Sequence, residues 1–478
     1  MTQLSSPRPG QSLHAPGRLN APPNVLGENV PLGPLDGRYR AAVAPLTQHL
    51  SEAALNQRRV HVEVEWLIHL CETGSVPGLR RLTPDEITYL RSVAADFNAE
   101  SVAELAETER VTLHDVKAVE YYVKKRMEGN SLADLGEIVH LFCTSEDINN
   151  LAYALMVRDA TALVWLPRAW ALHEDVADLA RELRDLPMLA RTHGQPATPT
   201  TLGKELAVLA HRLGRQLRRI DNTEFLGKIN GATGTFSAHV AGAPDTDWIE
   251  VSRTFVEHLG LTWNPLTTQI ESHDWQAELY SDVARFNRVL HNLCTDVWTY
   301  ISMGYFIQVR GQGTVGSSTM PHKVNPIRFE NAEANLEVSN GLFGVLESTL
   351  VTSRLQRDLT DSSMQRNIGT AFGHSLLAID NARKGLAGLD ADPAALARDL
   401  DATWEVLGEA VQSVMRVHGL EQPYERLKEL TRGRKVDAEV MREFVSGLGL
   451  PEDVAKELIE LTPGTYVGVA SKLVDQLR

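Results

Sequence analysis

Cysteine is scarce in this chain of 478 residues, which contains three, at Cys71, Cys143 and Cys294. They lie far apart in the sequence, so they form neither the framework of a disulfide-rich domain nor a CxxC metal-binding motif. Such a chain is typical of a reducing compartment, and we expect it to be cytoplasmic.

Long hydrophobic runs are also absent. The longest candidate, Val297 to Val309, is uncharged but is interrupted by Thr299, Ser302 and Gln308. It is shorter than the roughly 18 apolar residues that a membrane-spanning helix requires. The segment that begins at Met1 lacks both a basic region and an apolar stretch, so we expect no secretory leader.

Positive charge is in deficit, since 47 Lys and Arg residues face 62 Asp and Glu residues, a net charge of −15. Proteins that bind duplex nucleic acid usually have a basic surplus or a basic stripe, and this sequence has neither. An acidic enzyme can still bind an anion if a few arginines and lysines form a locally basic pocket. We therefore expect no nucleic-acid partner and look for a small number of well-placed cations.

Proline is rare outside the first part of the chain. Of the 22 prolines, seven lie within residues 1–34, which we expect to be a flexible arm. Long proline-free spans, rich in Ala, Leu, Glu and Arg, predict helices. These spans run between Pro84 and Pro167, between Pro265 and Pro321, and between Pro326 and Pro393.

Apolar periodicity supports the helical prediction. A stripe of apolar residues at steps of three or four runs from Trp275 to Ile301, and a similar stripe that includes Ala162 runs from Leu151 to Arg184. Strand signals are short, for instance around Thr262–Trp263. We predict a mainly α fold with a central bundle of long helices.

Breaks in the helical pattern near Gly129–Gly136 and near Gly385–Pro393 suggest domain boundaries. No repeat of fixed period is visible, which argues against a solenoid. We predict a flexible arm followed by three domains: an N-terminal helical domain, a central long-helix domain and a C-terminal helical domain. The four segments are residues 1–34, 35–133, 134–386 and 387–478.

The segment Gly311–Gly316 matches the G-x-G-x-x-G pattern of dinucleotide-binding folds. That pattern is meaningful between a strand and a helix, whereas here it follows a long amphipathic helix. We interpret it instead as a glycine-hinged loop. The Walker, H-E-x-x-H and G-x-S-x-G patterns are absent, so metal-hydrolase and α/β-hydrolase functions have no support.

The next stretch, GSSTMPHKVNP at 316–326, concentrates hydroxyls, an ammonium group and an amide around two prolines. Backbone N–H groups in such a turn can bind an oxyanion, and Lys323 adds a full positive charge. A plain surface loop would have a similar composition, so the stretch alone leaves both interpretations open.

This stretch resembles the signature of the fumarase/aspartase superfamily, whose members eliminate fumarate. Five further motifs are similar to those of the adenylosuccinate lyase family within it, and together they extend the resemblance from about Leu35 to the C-terminus. They are DGRY (36–39), LHDVKAVE (113–120), CTSEDIN (143–149), THGQPAT (192–198) and RDLTDS (357–362).

The resemblance implies cleavage of a C–N bond by β-elimination, from adenylosuccinate to AMP and from the carboxamide ribotide SAICAR to AICAR. It assigns the general base to Ser317 and the general acid to His193, with Glu330 orienting that histidine. A serine is a weak base in water, so Lys323 and the loop N–H groups must lower its pKa while they hold the substrate carboxylate. His114 matches a further supporting residue.

The resemblance also implies a set of substrate contacts. His114, Asp115, Thr144, Ser145, Gln269, Ser318, Lys323, Asn325 and Asn331 match positions near the reacting carbons, and Arg38, Tyr39, Arg357, Ser362 and Arg366 match the nucleotide end. Each has a plainer interpretation by itself. Thr144 and Ser145 suit a helix N-cap, His114 beside Asp115 suits a solvated ion pair, and the arginines suit an exposed surface.

By resemblance the chain forms a homotetramer in which each active site combines motifs from three chains, and it needs neither metal nor organic cofactor. Two alternatives remain open at the level of sequence. One is a sister lyase acting on fumarate, aspartate or argininosuccinate, and the other is a non-catalytic structural protein on the same scaffold.

Overall fold

The computed structural model describes residues 31–309, 324–432 and 436–477, and these are mainly helical. The first part contains five α-helices and a 3₁₀ helix at Ala133–Ile138. The α-helices are α1 (Arg40–Leu50), α2 (Glu52–Thr73), α3 (Pro84–Ala95), α4 (Ala99–Thr112) and α5 (Asp115–Met127). Across the described residues, no helix combines the length and the apolar character that crossing a membrane requires.

The middle of the chain holds the longest helices. They are α6 (Ser145–Ala160), α7 (Leu166–Glu182), α8 (Leu202–Asp221), α9 (Ser237–Gly242), α10 (Trp248–His258), α11 (Asp274–Ser302), α12 (Ile327–Leu350), α13 (Thr360–Gln365) and α14 (Ile368–Leu386). Helices α7, α8, α11, α12 and α14 pack against one another as a bundle. The predicted mainly α fold with a central long-helix bundle is confirmed.

Six short α-helices and two 3₁₀ helices, at Trp404–Leu407 and Val474–Gln476, follow the bundle. The α-helices are α15 (Pro393–Asp401), α16 (Gly408–Val417), α17 (Pro423–Thr431), α18 (Ala438–Ser446), α19 (Glu452–Glu460) and α20 (Ala470–Leu473). Many are amphipathic, and a separate apolar cluster that includes Leu407, Met415 and Met441 holds this part together.

The strands of the described residues form four two-stranded ladders. Three are antiparallel: β1 (Pro187–Met188) with β4 (Thr200–Thr201), β2 (Arg191–Thr192) with β3 (Gln195–Pro196), and β7 (Phe306–Gln308) with β8 (Leu389–Ala391). The parallel ladder joins β5 (Leu226–Gly227) to β6 (Thr262–Trp263). The strand expected around Thr262–Trp263 is therefore present.

The predicted apolar stripe from Trp275 to Ile301 lies on α11, and its residues up to Val297 are buried. In the bundle core, the rings of Trp165 and Phe286 pack edge to face with centroids 5.0 Å apart. Aromatic pairs in this geometry add about 0.5–1.5 kcal/mol beyond their burial.

The predicted stripe from 151 to 184 is interrupted. Residues Thr161–Trp165 form a π turn between α6 and α7, which ends two residues before Pro167. Proline has no N–H to donate within a helix, and a π turn shifts the helical register at such a point. Ala162, which the stripe includes, is exposed as a result.

Candidate active site

His193 lies at the tip of the β2–β3 hairpin, where it forms a two-residue turn with Gly194. Both residues have positive φ, 53° for His193 and 73° for Gly194. Two consecutive left-handed residues are typical of the tight hairpin turn, and a histidine adopts this conformation uncommonly. The imidazole is exposed and makes no hydrogen bond to another described residue. It is thus presented outward from its own chain.

His114 caps the N-terminus of α5. Its Nδ1 accepts the backbone N–H of Lys117 at 3.1 Å, and its Nε2 lies 3.5 Å from the Ser145 Oγ. Because Nδ1 accepts, the neutral imidazole carries its proton on Nε2. Two predicted site residues, His114 and Ser145, are therefore adjacent, with an N–H donor between them.

A buried arginine holds the neighbouring Asp115. The Arg59 guanidinium, 1% exposed, donates to the Asp115 carboxylate at 2.7 Å and to the Asn149 side-chain oxygen at 2.9 Å. Burial alone would raise the pKa of Asp115, but the charges of Arg59 and Arg366 and a backbone N–H hold it below its ordinary value. Asp115 is therefore a carboxylate at neutral pH.

The same chain of contacts continues to Arg357. Asn149 donates to Glu146 Oε1 at 2.7 Å, and the same oxygen pairs with Arg357 Nη2 at 2.9 Å. Arg357 Nη1 donates to Gln269 Oε1 at 3.2 Å, and Gln269 donates to the carbonyl of Ala232 at 2.8 Å. The buried Nε of Arg357 has no acceptor among the described residues, so the guanidinium has a free donor.

Arg366 joins this network from α14's N-terminal side. Its Nη2 lies 3.4 Å from Asp115 Oδ2, and its Nη1 donates to Ser362 Oγ at 2.9 Å. The guanidinium also pairs with Glu52 at 3.4 Å. We call the whole set the arginine network; its members are Glu52, Arg59, His114, Asp115, Ser145, Glu146, Asn149, Gln269, Arg357, Ser362 and Arg366.

Thr144 is the N-cap residue of α6, and its backbone N–H donates to Asp147 Oδ2 at 2.8 Å. Asp147 and Lys228 form an ion pair at 2.8 Å with both side chains fully buried. The carboxylate also accepts the backbone N–H groups of Asn230 and Gly231. Removing one partner of a buried ion pair lowers the free energy of unfolding by about 3–5 kcal/mol. This pair therefore holds the start of α6 firmly against the loop of residues 228–232, whose Ala232 carbonyl accepts from Gln269.

His239 lies under the same loop and is fully buried. Neither ring nitrogen has a hydrogen-bond partner in the described parts of the chain. Its ring centroid lies 4.9 Å from that of Trp248, 5.0 Å from that of Phe142 and 5.2 Å from that of Phe236. Burial lowers the pKa of His239 to about 4, so the imidazole is neutral at neutral pH.

Tyr39 and Asn331 form a second group, where the N-terminus of α1 meets the start of α12. Asn331 donates to the Tyr39 hydroxyl at 3.2 Å, and Arg38 lies 5.9 Å from the centroid of the Tyr39 ring. Glu330 accepts a hydrogen bond from the indole of Trp298 at 3.2 Å rather than from His193. The predicted contact between Glu330 and His193 is not made within one chain.

Several predicted features lie outside the described residues. They are Ser317, Ser318 and Lys323, the glycine-hinged segment 311–316, and residues 1–30 of the arm. Asn325 is exposed just before α12. Among the residues that the structure describes, no three His, Cys, Asp or Glu side chains are grouped as metal ligands would be.

Comparison with known proteins places the chain in a family. The family model described as lyase matches residues 37–338, and the model described as adenylosuccinate lyase C-terminal matches residues 353–467. The chain is 48% identical over 448 residues to adenylosuccinate lyase of Escherichia coli (strain K12), covering 94% of this chain and 98% of the relative. It belongs to the adenylosuccinate lyase family. The family resemblance in the motifs is confirmed, and the chain is a C–N lyase.

Other relatives agree with this membership. Adenylosuccinate lyase of Haemophilus influenzae (strain ATCC 51907 / DSM 11121 / KW20 / Rd) is 46% identical over 447 residues, covering 93% of this chain and 98% of the relative. The fold superposes on a fumarate lyase from Mesorhizobium sp. BNC1 with a TM-score of 0.73 and 21% identity, covering 91% and 97% of the two chains. It superposes on 3-carboxy-cis,cis-muconate lactonizing enzyme from Pseudomonas putida with a TM-score of 0.71 and 21% identity, covering 91% and 96%.

The chain gathers part of the residues that the family motifs predicted. The arginine network unites seven of them: His114, Asp115, Ser145, Gln269, Arg357, Ser362 and Arg366. No side-chain hydrogen bond or ion pair between described residues connects this network to the His193 hairpin or to the Tyr39–Asn331 group. In this member of the adenylosuccinate lyase family, one chain thus presents three separate groups.

Sequence reasoning missed four members of the network, Glu52, Arg59, Glu146 and Asn149. Glu146 and Asn149 lie inside the CTSEDIN motif, so a helical projection could have placed Asn149 three residues after Glu146 on one face. Arg59 carried no local signal for the site, because its partners within the network, Asp115 and Asn149, are 56 and 90 residues away in the sequence.

Proposed function

We propose that the chain eliminates fumarate from adenylosuccinate, giving AMP, and from SAICAR, giving AICAR, and that it does so in the cytoplasm. Family membership supports the substrate, since the relatives at 46–48% identity are named adenylosuccinate lyase. The observation that carries the proposal is the arginine network, which places the guanidinium groups of Arg357 and Arg366 and a histidine N–H donor in one connected set in an acidic protein. A sister lyase or a structural homologue is not favoured.

The network suits a substrate with anionic groups at both ends. Arg357 and Arg366 supply planar donors for a 5′-phosphate, and the Nε of Arg357, which has no acceptor within the described ranges, adds hydrogen-bonding capacity. At the other end, His114 Nε2–H and the Thr144–Ser145 N-terminus of the 16-residue helix α6 suit a succinyl carboxylate. The carboxylates of Glu146 and Asp115 hold Arg357 and Arg366 in place.

The reaction requires one base and one acid. We assign Ser317 to remove the proton from the carbon beside a carboxylate, and the electron pair moves into that carboxylate as negative charge develops. Lys323, with Ser318 and Asn325, stabilises this charge. The C–N bond then breaks as His193 donates a proton to the leaving nitrogen, and Glu330 orients the imidazole. Arg38 and Tyr39 complete the nucleotide side, and Asn331, which we assign near the reacting carbons, donates to the Tyr39 hydroxyl.

The separation of the three groups supports a homotetramer with shared active sites. The His193 side chain is exposed and makes no hydrogen bond to another described residue, and within the chain Glu330 bonds to Trp298 instead. The central helices also expose large apolar side chains, which would be covered by other subunits. They are Val208 on α8, Trp298 on α11, and Val338 and Val345 on α12. We also propose that the chain is divided into a flexible arm and three domains, with the boundaries given above.

The test is a coupled product assay with purified protein. Adenylosuccinate should be converted to AMP and fumarate in equal amounts, measured by chromatography alongside the change in absorbance. A Ser317→Ala chain prepared in parallel should give no product, which excludes a contaminating lyase. Turnover of malate, aspartate or argininosuccinate without any turnover of adenylosuccinate would overturn the proposal.

A further inference from the structure

The β2–β3 hairpin that carries His193 is too short to fix the position of its own side chains. Its two strands contain two residues each, and a ladder of this size is marginally stable by itself. Its tip contains a histidine in the left-handed region, which a non-glycine residue adopts only when its surroundings enforce it. The position of the imidazole must therefore depend on contacts outside the hairpin.

One such contact holds the strand before the turn. Arg191 donates through Nη2 to Asp399 Oδ2 on α15 at 2.6 Å. The hydroxyl of Tyr305 donates to the same oxygen. Burial and this hydrogen bond raise the pKa of Tyr305 to about 12, so the phenol remains a donor at neutral pH. Asp399 is thus fixed from a second direction while it holds Arg191.

A matching contact holds the segment after the turn. The Thr198 hydroxyl donates to Glu409 Oε2 on α16. The Tyr466 hydroxyl donates to the same oxygen at 3.3 Å. Both flanks of the hairpin therefore meet a carboxylate of the C-terminal helices, and each carboxylate is braced by a tyrosine. None of these four contacts belongs to the predicted site.

We propose that Asp399 and Glu409 are positioning residues, which hold the β2–β3 hairpin between two fixed carboxylates and so set the place of the His193 imidazole. The inference rests on the proposed role of His193 as general acid. It gives the C-terminal helices a part in the chemistry, since a displacement of about 1 Å in a catalytic group can cost up to 10²-fold in rate.

The central variants are Asp399→Asn and Asp399→Ala, with Asp401→Asn as the matched control. Asp401 is an exposed carboxylate two positions later on the same helix. Loss of the Arg191 pair should lower kcat by about tenfold and leave KM for adenylosuccinate within about twofold, because the hairpin moves but the arginine network does not. The control should match the unmodified enzyme in both constants and in Tm. Wild-type kcat in both Asp399 variants would overturn the inference.

A double variant separates positioning from general structure. In a His193→Gln chain, adding Asp399→Asn should cause no further loss, because the group that Asp399 positions is already gone. A second tenfold loss in that background would show that Asp399 acts otherwise, and it would overturn the inference. Arg191→Lys, which keeps the charge, should retain more kcat than Arg191→Met.

If Asp399 variants lose their fold in circular dichroism, the Glu409→Gln and Thr198→Val variants test the other flank with the same two measurements. If both of these variants have the same kcat as the unmodified enzyme, the inference is overturned. A failure of the proposed function would give a different result. If a His193→Gln chain has an unchanged kcat, both the general-acid assignment and the inference are wrong. If the His193→Gln chain is inactive but the Asp399, Glu409 and Thr198 variants are fully active, the inference alone is wrong.

Discussion

At the scale of single residues, the candidate site depends on charged side chains that are held in place by side chains of opposite charge. Arg59 is buried, and its guanidinium N–H groups donate to Asp115, Asn149 and Asn56. It therefore cannot itself reach a substrate. Arg357, by contrast, retains a donor without an acceptor among the described residues. We therefore propose different roles for the two arginines: Arg59 holds carboxylates in place, whereas Arg357 binds an anion.

Replacing Arg357 by Ala should weaken AMP binding by about 10- to 150-fold, the equivalent of the roughly 1.5–3 kcal/mol for a hydrogen bond to a charged group. Isothermal titration with AMP measures the change. Arg354→Ala is the matched control, because its side chain is 81% exposed and forms an ion pair with Asp358 at the surface. Its Kd should stay within about twofold. Equal Kd values in both variants would contradict the phosphate-binding role.

His239 should make the free energy of unfolding depend on pH. Its pKa is about 4 in the fold and 6.5 ordinarily, so the unfolded chain binds the proton more readily between these values. Stability should therefore fall as the pH is lowered from about 6.5 to 4, with about 3 kcal/mol arising from this group at pH 4. Urea unfolding at pH 7 and pH 4 measures the loss, and His239→Leu should reduce it. An equal loss in both chains would contradict the assignment.

At the scale of elements, periodic helices were predictable and short irregular pieces were not. The stripe from Trp275 predicted α11 because a long apolar face can be buried only as a helix. The β2–β3 hairpin has two residues in each strand, too few for an alternating pattern, and Gly194 was its one turn signal. The exposure of Ala162 depends on a π turn that no apolar period reveals.

Gly203 near the start of α8 tests how tightly that helix packs. A Cβ there would lie 2.4 Å from the carbonyl oxygen of Ala180 and 2.5 Å from the backbone N of Arg184. Gly203→Ala should destabilise the protein by about 1–3 kcal/mol, because backbone atoms must move apart. Gly136→Ala is the control, since a Cβ there would enter open space, with no described atom within 4 Å apart from its own neighbours in the chain. Thermal unfolding compares them; equal Tm values would contradict the close packing.

At the scale of the whole molecule, the sequence motifs predicted which residues belong to one site but not where they lie in one chain. His193 and Glu330 are paired in the motif-based prediction, yet Glu330 bonds to Trp298 within the chain. Periodicity and motif content are properties of a single chain, whereas a site shared between chains depends on surfaces that no pattern describes. The tetramer therefore stays a proposal to be tested directly.

Mixed subunits provide that test. A His193→Ala chain and a Ser317→Ala chain should each be inactive, but hybrids formed by mild denaturation and joint refolding should regain activity. Some hybrid sites would combine an intact His193 from one chain with an intact Ser317 from another. Mass analysis confirms the exchange, and the two chains refolded separately are the control. Confirmed hybrids with only background activity would contradict the shared site.

Trp298 gives the molecule an intrinsic fluorescent reporter. Of the eight tryptophans in the chain, it alone is exposed, at 41%, and its indole donates to the carboxylate of Glu330. Its emission is therefore the most sensitive to a change in polarity at the face where α11 meets α12. A shift of this emission to shorter wavelength on dilution from denaturant, dependent on protein concentration, would report the covering of that face in real time.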